Sequence, residues 1–324
     1  MSDYLPEIFL LIRKQIIEKQ NPLGIPPDAC AEWCKNLGAL KHTDTILYSG
    51  CLWTITGIIE RLDFVIRRVA KDPTSDIGVK VLGKFINIGK KLTVKFRNEI
   101  CENIPAKAVE ILKQLKYNVS CLNEEPYSGA LLHDLGFYDD LVRYGETLRD
   151  FFKQHGVKRI ILLDPHTYDL FINIYSKEVD DFDFEIINFL ELLNELIEKE
   201  RLELRWDEEI IVTYHDPCHY SRATDKKIID EPRNILTSIK NVKLREPYNT
   251  KNLSICCGAP LEFTFYDLSK EIAKIRYQEL MKTEATYIIT ACPLCFINLR
   301  RAAGEKKEAI KDIIDFVHSS IKRG

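Results

Sequence analysis

The chain has no run of about 18 apolar residues, the least a helix needs to cross a bilayer, so nothing in its 324 residues predicts a membrane span. Charge of one sign is also missing. Lys and Arg number 46 against 49 Asp and Glu, and the net charge of −3 gives no general reason to expect nucleic acid. Methionine is scarce at two residues, beside much Ile, Lys and Glu, a composition that would suit a thermophile. A C-x2-C-x2-C-x3-C-P run, the usual holder of cubane clusters, is absent. The first residues, MSDYLPEIFLLIRKQIIEK, are interrupted by Glu7, Arg13 and Lys14, with no small-residue cleavage site after them, which predicts no secretory leader. With 45% hydrophobic and 29% charged residues there is no disorder signature, and the length allows two domains of ordinary size.

Cysteine, by contrast, is plentiful, at ten residues. Five of them, Cys218, Cys256, Cys257, Cys292 and Cys295, form the pattern C-x37-C-C-G-x33-C-x2-C, within the segments HDPCHY, ICCGAP and ACPLCF. Thiolates are soft ligands that select zinc, copper(I) or iron–sulfur clusters. Five exceed the four that tetrahedral zinc or a cubane normally uses. Buried structural cysteine would explain one or two of them, but not an adjacent pair beside a glycine together with C-P-x-C. The grouping predicts a thiolate-bound metal and a reducing, cytoplasmic compartment.

The spacing and the CCG triplet resemble the cysteine-rich CCG domain of the B-type and D-type polypeptides of heterodisulfide reductase. Related chains are the glycolate oxidase, lactate-utilisation and glycerol-3-phosphate dehydrogenase iron–sulfur subunits. In the heterodisulfide reductase branch such a set holds a noncubane [4Fe-4S] cluster. The resemblance implies that role for Cys218, Cys256, Cys257, Cys292 and Cys295. It also implies an oxidoreductase acting on a thiol, disulfide or protein-bound sulfur, and a ferredoxin-like or flavoprotein electron-transfer partner.

Short apolar runs at 46–50, 159–163, 210–214 and 286–290 read as buried strands. Helical patterns fall at roughly 53–70, 104–116, 139–155, 185–200, 267–283 and 306–321. The alternation predicts an α/β fold of two similar halves with parallel-strand layers and flanking helices. A linker segment would occupy 1–45, a first half 46–205 and a second half 206–324. The halves repeat each other: YSGC, with Cys51, stands opposite YHDPC, with Cys218. Tyr127-Ser128-Gly129 stands opposite Cys256-Cys257-Gly258, Asp164 opposite Cys292 and Thr167 opposite Cys295.

Of five ligand positions, the first half keeps only Cys51, so one metal centre is expected and not two. Cys121 is out of register with the second half's pair. His133 or His166 could lend a nitrogen, although structural hydrogen bonding is the commoner role of such residues. Cys51 is a candidate lone thiol facing the cavity between halves. His215 is a candidate proton donor beside Cys218, with a structural role in the turn the equal alternative. Gly258 and Pro293 are expected to shape loops whose N–H groups reach sulfur. Arg222, Lys226 and Lys227 could attract an anionic substrate, or form a solvated charge run.

Cys51 and Tyr127 lie 76 positions apart, whereas Cys218 and Cys256 lie 38 apart, so the first half carries an insertion near 72–105. Within 77–100, apolar residues recur at helical spacing beside Lys80, Lys84, Lys91 and Lys95. This is a candidate contact with a partner or with the inner face of a membrane, or an ordinary amphipathic helix weakened by three glycines. The segment NPLGIPPDACAEWCKNLG is similar to the linker that follows the ferredoxin-like domain in fused members of the family. Electrons would then come from a separate subunit or carrier. Cys30 and Cys34, at i and i+4, could pair, bind a metal or sit as buried thiols.

The reading that gathers these features is a catalytic iron–sulfur subunit of a heterodisulfide-reductase-like complex. The alternatives are a relay or structural subunit of a dehydrogenase or quinone-linked complex, or a structural zinc site at the CCG motif.

Overall fold

Strands Thr45–Tyr48 (β1), Arg159–Leu162 (β2) and Glu185–Asn188 (β3) form one parallel sheet in the order β1-β2-β3. Strands Arg205–Tyr214 (β4), Lys240–Leu244 (β5), Tyr287–Thr290 (β6) and Ile310–Asp312 (β7) form a second, also parallel, in the order β5-β4-β6-β7. Helices connect and flank both sheets, so the α/β architecture is as the alternating patterns predict. The computed structural model describes residues 7–35, 37, 43–61, 99–200, 202–262 and 265–321. The basic amphipathic pattern of 77–100 lies almost wholly outside the described residues.

The two sheets superpose in connectivity. Ser120 bridges Ile46 in parallel, the place that β5 takes beside β4. Tyr48 pairs with Leu162 in one sheet and Tyr214 with Ile289 in the other. Asn188 ends β3 and its side chain accepts from Leu190 N at 2.9 Å, while Asp312 ends β7 and accepts from Ile314 N at 2.8 Å. Each strand of one half therefore has its counterpart in the other, down to the residue that caps the next helix.

β1, β2 and β6 are buried along nearly their whole length, which is why TILY, RIIL and YIIT read as continuous apolar runs. β3, β5 and β7 lie at sheet edges, where short, polar strands are the rule. Their sequences EIIN, KNVKL and IKD carry no such run. The helices expected at 185–200 and 306–321 accordingly begin with edge strands, and the helices proper are Phe189–Glu200 and Ile313–Ser320.

The halves meet along several contacts. Helix Leu52–Arg61 packs on helix Pro293–Ala303, with Trp53 against Phe296 at 6.1 Å between ring centroids. Arg300, buried, pairs with Glu60 and Glu308 at 3.0 Å each. Close packing is equally tight inside the first half. A Cβ added to Gly145 in helix Tyr138–Gln154 would stand 2.7 Å from both Tyr175 and Val179. Gly145→Ala should therefore cost about 1–3 kcal/mol of overpacking, readable as a lowered midpoint in guanidinium denaturation.

Candidate metal centre

Loops at the carboxyl ends of the second sheet bring the five cysteines together. After β4, the His215-Asp216-Pro217 turn is pinned by Asp216, whose carboxylate accepts from Arg233 at 2.8 and 2.9 Å and from Lys251 N at 2.8 Å. Cys218 then opens the short helix His219–Ala223. After β5, Cys256-Cys257-Gly258 makes a left-handed turn, with Gly258 at φ 85° and its N–H donating to Cys256 Sγ at 3.3 Å. An added Cβ would meet Ser269 O at 2.6 Å, so no other residue fits that turn. The turn is also tied through Cys257 O, which accepts from Asn298 at 2.7 Å.

Cys292 caps helix Pro293–Ala303: its Sγ accepts from Cys295 N at 3.5 Å, and Pro293 occupies the first turn. A helix N-terminus favours a thiolate there. Asp164 does the same in the first half, accepting from Thr167 N at 2.9 Å ahead of Pro165. Gly129, at φ 91°, repeats Gly258. The first half keeps the backbone of these two turns, with Ser128 and Asp164 where the second half has Cys257 and Cys292.

Cys257, Cys292 and Cys295 are buried, and Cys218 and Cys256 are partly exposed. The thiols influence one another through a chain of hydrogen bonds running Cys218, Cys256, Cys257, Cys295, Cys292. The bond to Cys256 pushes Cys218 up, and the same bond, with another from Cys257, pulls Cys256 down. The bond to Cys256 raises Cys257, and the bond to Cys257 raises Cys295. Burial opposes ionisation of Cys292, but hydrogen bonds from Cys295 and His166 outweigh it and hold the thiol well below its ordinary value. Five sulfurs this close cannot all ionise in each other's presence. A bound cation resolves that conflict, which is the electrostatic signature of a soft-metal site.

His215 is buried, and a ring nitrogen lies within 4.8 Å of the sulfurs of Cys257 and Cys295. Its Nδ1 accepts from Arg276 Nε at 3.0 Å, which leaves the hydrogen on Nε2, a buried atom with no protein partner. Burial and the Arg276 charge hold the ring neutral, far below its ordinary pKa. Arg276 thus fixes the orientation of the His215 ring beside Cys257 and Cys295. Arg276, wholly buried, had no sequence signal; its guanidinium also reaches Asn249 O at 2.8 Å, Glu279 at 2.7 Å and Ser254 Oγ at 3.1 Å.

His166, expected as a possible ligand in the first half, reaches instead across to the second, with Nδ1 3.9 Å from Cys292 Sγ. Its ring lies against that of His219, 4.0 Å between centroids, and His219 Nδ1 pairs with Asp169 at 2.8 Å. An apolar slot between the halves is lined by Leu52, Ile55 and Leu131 of the first and Ala259, Pro260 and Leu294 of the second, with His166 also in its wall. His133 is half-exposed beside Asp134 and meets no cysteine among the described contacts. Arg222 donates to Ser254 O, and Lys226 pairs with Glu191 at 2.8 Å. Both are committed to protein partners rather than to an anion. Cys51 is not a lone thiol: the linker segment passes over the end of β1, and Cys51 is bonded to Cys30, as Cys121 is to Cys34.

The site fits an iron–sulfur group: five converging sulfurs, N–H donors from Gly258 and Cys295, and a glycine cradle that any side chain would fill. What the fold and site define is a thiolate-rich α/β module at the carboxyl edge of a parallel sheet. Residues 212–300 match the family model of the cysteine-rich CCG domain. The chain is 28% identical, over 61% of its length and 28% of the relative's, to the probable iron-sulfur-binding oxidoreductase FadF of Bacillus subtilis. It is 31% identical to the D-type polypeptide of the dihydromethanophenazine:CoB–CoM heterodisulfide reductase of Methanosarcina acetivorans, over 44% of this chain and 35% of that one. A probable membrane-anchored ferredoxin of Chromohalobacter salexigens is 26% identical over 66% of this chain and 33% of its own. The matches span about a third or less of these relatives. Over the matched parts the chain is similar to iron–sulfur oxidoreductases, and its match to the cysteine-rich CCG domain covers the five cysteines. Among the described residues, no helix is long and apolar enough to cross a membrane.

Proposed function

We propose that the chain is the cluster-bearing subunit of a heterodisulfide-reductase-like complex. Cys218, Cys256, Cys257, Cys292 and Cys295 hold one noncubane [4Fe-4S] cluster, and the reaction is the making or breaking of a disulfide or protein-bound thiol. The observation that carries this reading is the convergence of five sulfurs beside a slot that both halves line. When bound, the cluster would supply single electrons to sulfur. The chain's own residues do the rest. Gly258 N and Cys295 N donate to sulfur and stabilise its charge, and His215 stands beside Cys257 and Cys295. His166, in the wall of the slot, lies against Cys292.

Electrons come from a ferredoxin-like or flavoprotein subunit in the cytoplasm, and any membrane contact is made through a partner. No nucleic acid is involved. A pure relay subunit is the second reading, favoured by the narrowness of the slot.

Iron, acid-labile sulfide and EPR of anaerobically purified protein test this. About four irons per chain, with a signal from the oxidised state that changes when thiols are added, are the expected result. A signal indifferent to every thiol leaves the relay. A five-cysteine site filled by zinc, with no iron, overturns both.

A further inference from the structure

The first half, though it lacks the five-cysteine set, reaches one sulfur of the second. His166, buried in helix Pro165–Leu170, holds Nδ1 3.9 Å from Cys292 Sγ. Among the described residues this sulfur is the ring's one hydrogen-bond partner, and Nε2 is buried with none. Buried donors in folded proteins are paired, and a thiolate that holds a metal can only accept. Both conditions are met when the ring hydrogen sits on Nδ1 and points at Cys292.

The ring is braced for that contact. Its face lies on the ring of His219, 4.0 Å between centroids. His219 Nδ1 pairs with Asp169 at 2.8 Å, and Asp169 follows His166 by three residues on the same helix. Asp169 also accepts from Asn173 at 2.5 Å, and Asn173 reaches Thr224 of the second half at 3.3 Å. Residues of both halves therefore fix one imidazole. In the repeat, Asp164-Pro165-His166-Thr167 stands opposite Cys292-Pro293-Leu294-Cys295, which puts His166 in the place of Leu294. Both line the apolar slot, but a leucine has no hydrogen to donate.

We propose that His166 is a positioning residue for the group held by the five cysteines, and that its N–H to Cys292 raises that group's reduction potential. The inference rests on the iron–sulfur reading of the site. A hydrogen bond to a ligating sulfur draws charge away from the iron, and the reduced form, one electron more negative, gains the more from it. Burial keeps the contact strong, because little water is present to screen it. Cys292 already takes the N–H of Cys295 at 3.5 Å from its own half; His166 supplies a second donor across the boundary between halves. The half without the cluster thus helps set how readily the cluster accepts an electron.

The test is the one-electron midpoint potential of the iron centre, followed by EPR during a redox titration of the anaerobically purified full chain. His166→Leu, which copies the second half, should retain wild-type iron and sulfide. Its ratio of reduced to oxidised centre at a fixed potential should fall about tenfold, a midpoint about 59 mV lower. His166→Asn, with an amide nitrogen where Nδ1 stood, should restore most of the difference. Should His166→Leu load iron poorly, the comparison of His166→Gln with His166→Asn decides. The glutamine amide stands one atom further out, in the place of Nε2, so the midpoint should fall in His166→Gln alone. A wild-type midpoint in His166→Leu with full iron, or equal midpoints in His166→Gln and His166→Asn, overturns the role of His166. Iron absent from the wild type as well overturns the cluster reading itself, and this inference with it.

Discussion

Cys257→Ala, purified anaerobically, is expected to retain less than about a tenth of the wild-type iron and sulfide, while Cys34→Ser retains all of it. Cys257 stands in the middle of the chain of sulfurs, hydrogen-bonded to both Cys256 and Cys295 and buried. Its backbone is fixed on either side, by Asn298 at its carbonyl and by the left-handed Gly258 after it. No neighbour can move in to replace it, because the turn that presents it admits no added Cβ. The partly exposed Cys256 is the useful contrast: Cys256→Ala should lose less iron, since solvent thiol can approach the vacated position. Iron and sulfide assays, with the visible absorbance, read both. Wild-type iron in Cys257→Ala would remove the five-cysteine centre altogether.

Arg276→Met should destabilise the protein by about 3–5 kcal/mol, the usual cost of leaving half of a buried pair. The side chain is wholly buried and serves four acceptors, one of them His215 Nδ1. Denaturation midpoints measure the loss, and a fall in iron loading should accompany it, because His215, beside Cys257 and Cys295, would lose the bond that fixes its ring. The effect depends on pH with a definite sign. Burial raises the Glu279 carboxyl, but hydrogen bonds from Asn249 and Arg276 outweigh it and hold the folded value below the ordinary one. Its stabilising contribution is therefore complete above the unfolded carboxylate range and is lost as pH falls through the lower folded value. The gap between wild type and Arg276→Met should narrow over that acid window. A gap independent of pH would mean that Arg276 acts by packing alone. The double variant Arg276→Met/Glu279→Leu should recover only part of the loss, because Asn249 N and Nδ2 both donate to Glu279, at 2.7 and 2.8 Å.

Much of the fold was legible from local pattern. Interior strands buried on both faces must be continuously apolar, and those were found; edge strands need not be, and β3, β5 and β7 were absorbed into the helices or loops around them. The repeat could be read because its landmarks are chemically forced. Gly129 and Gly258 need φ near 90°, and Asp164 and Cys292 cap equivalent helices with different side chains in one backbone geometry. His166 could have been suspected from Asp164-Pro165-His166-Thr167 lying opposite Cys292-Pro293-Leu294-Cys295, but spacing cannot tell which half a side chain will face.

By itself the sequence determined the class: a five-cysteine pattern beside a glycine and a proline, repeated helix and strand periods, and one half stripped of ligands. Those are properties of residue type and spacing along a chain, which local stereochemistry converts directly into turns, caps and strands. Tertiary structure alone decided which distant groups share one small volume. It put His166 of the first half on Cys292 of the second, set Arg276 to fix the ring of His215, and joined Cys30 to Cys51 and Cys34 to Cys121 across distant segments. The reason is physical: contacts between segments far apart in sequence are set by how sheets and helices pack, and no local periodicity records them.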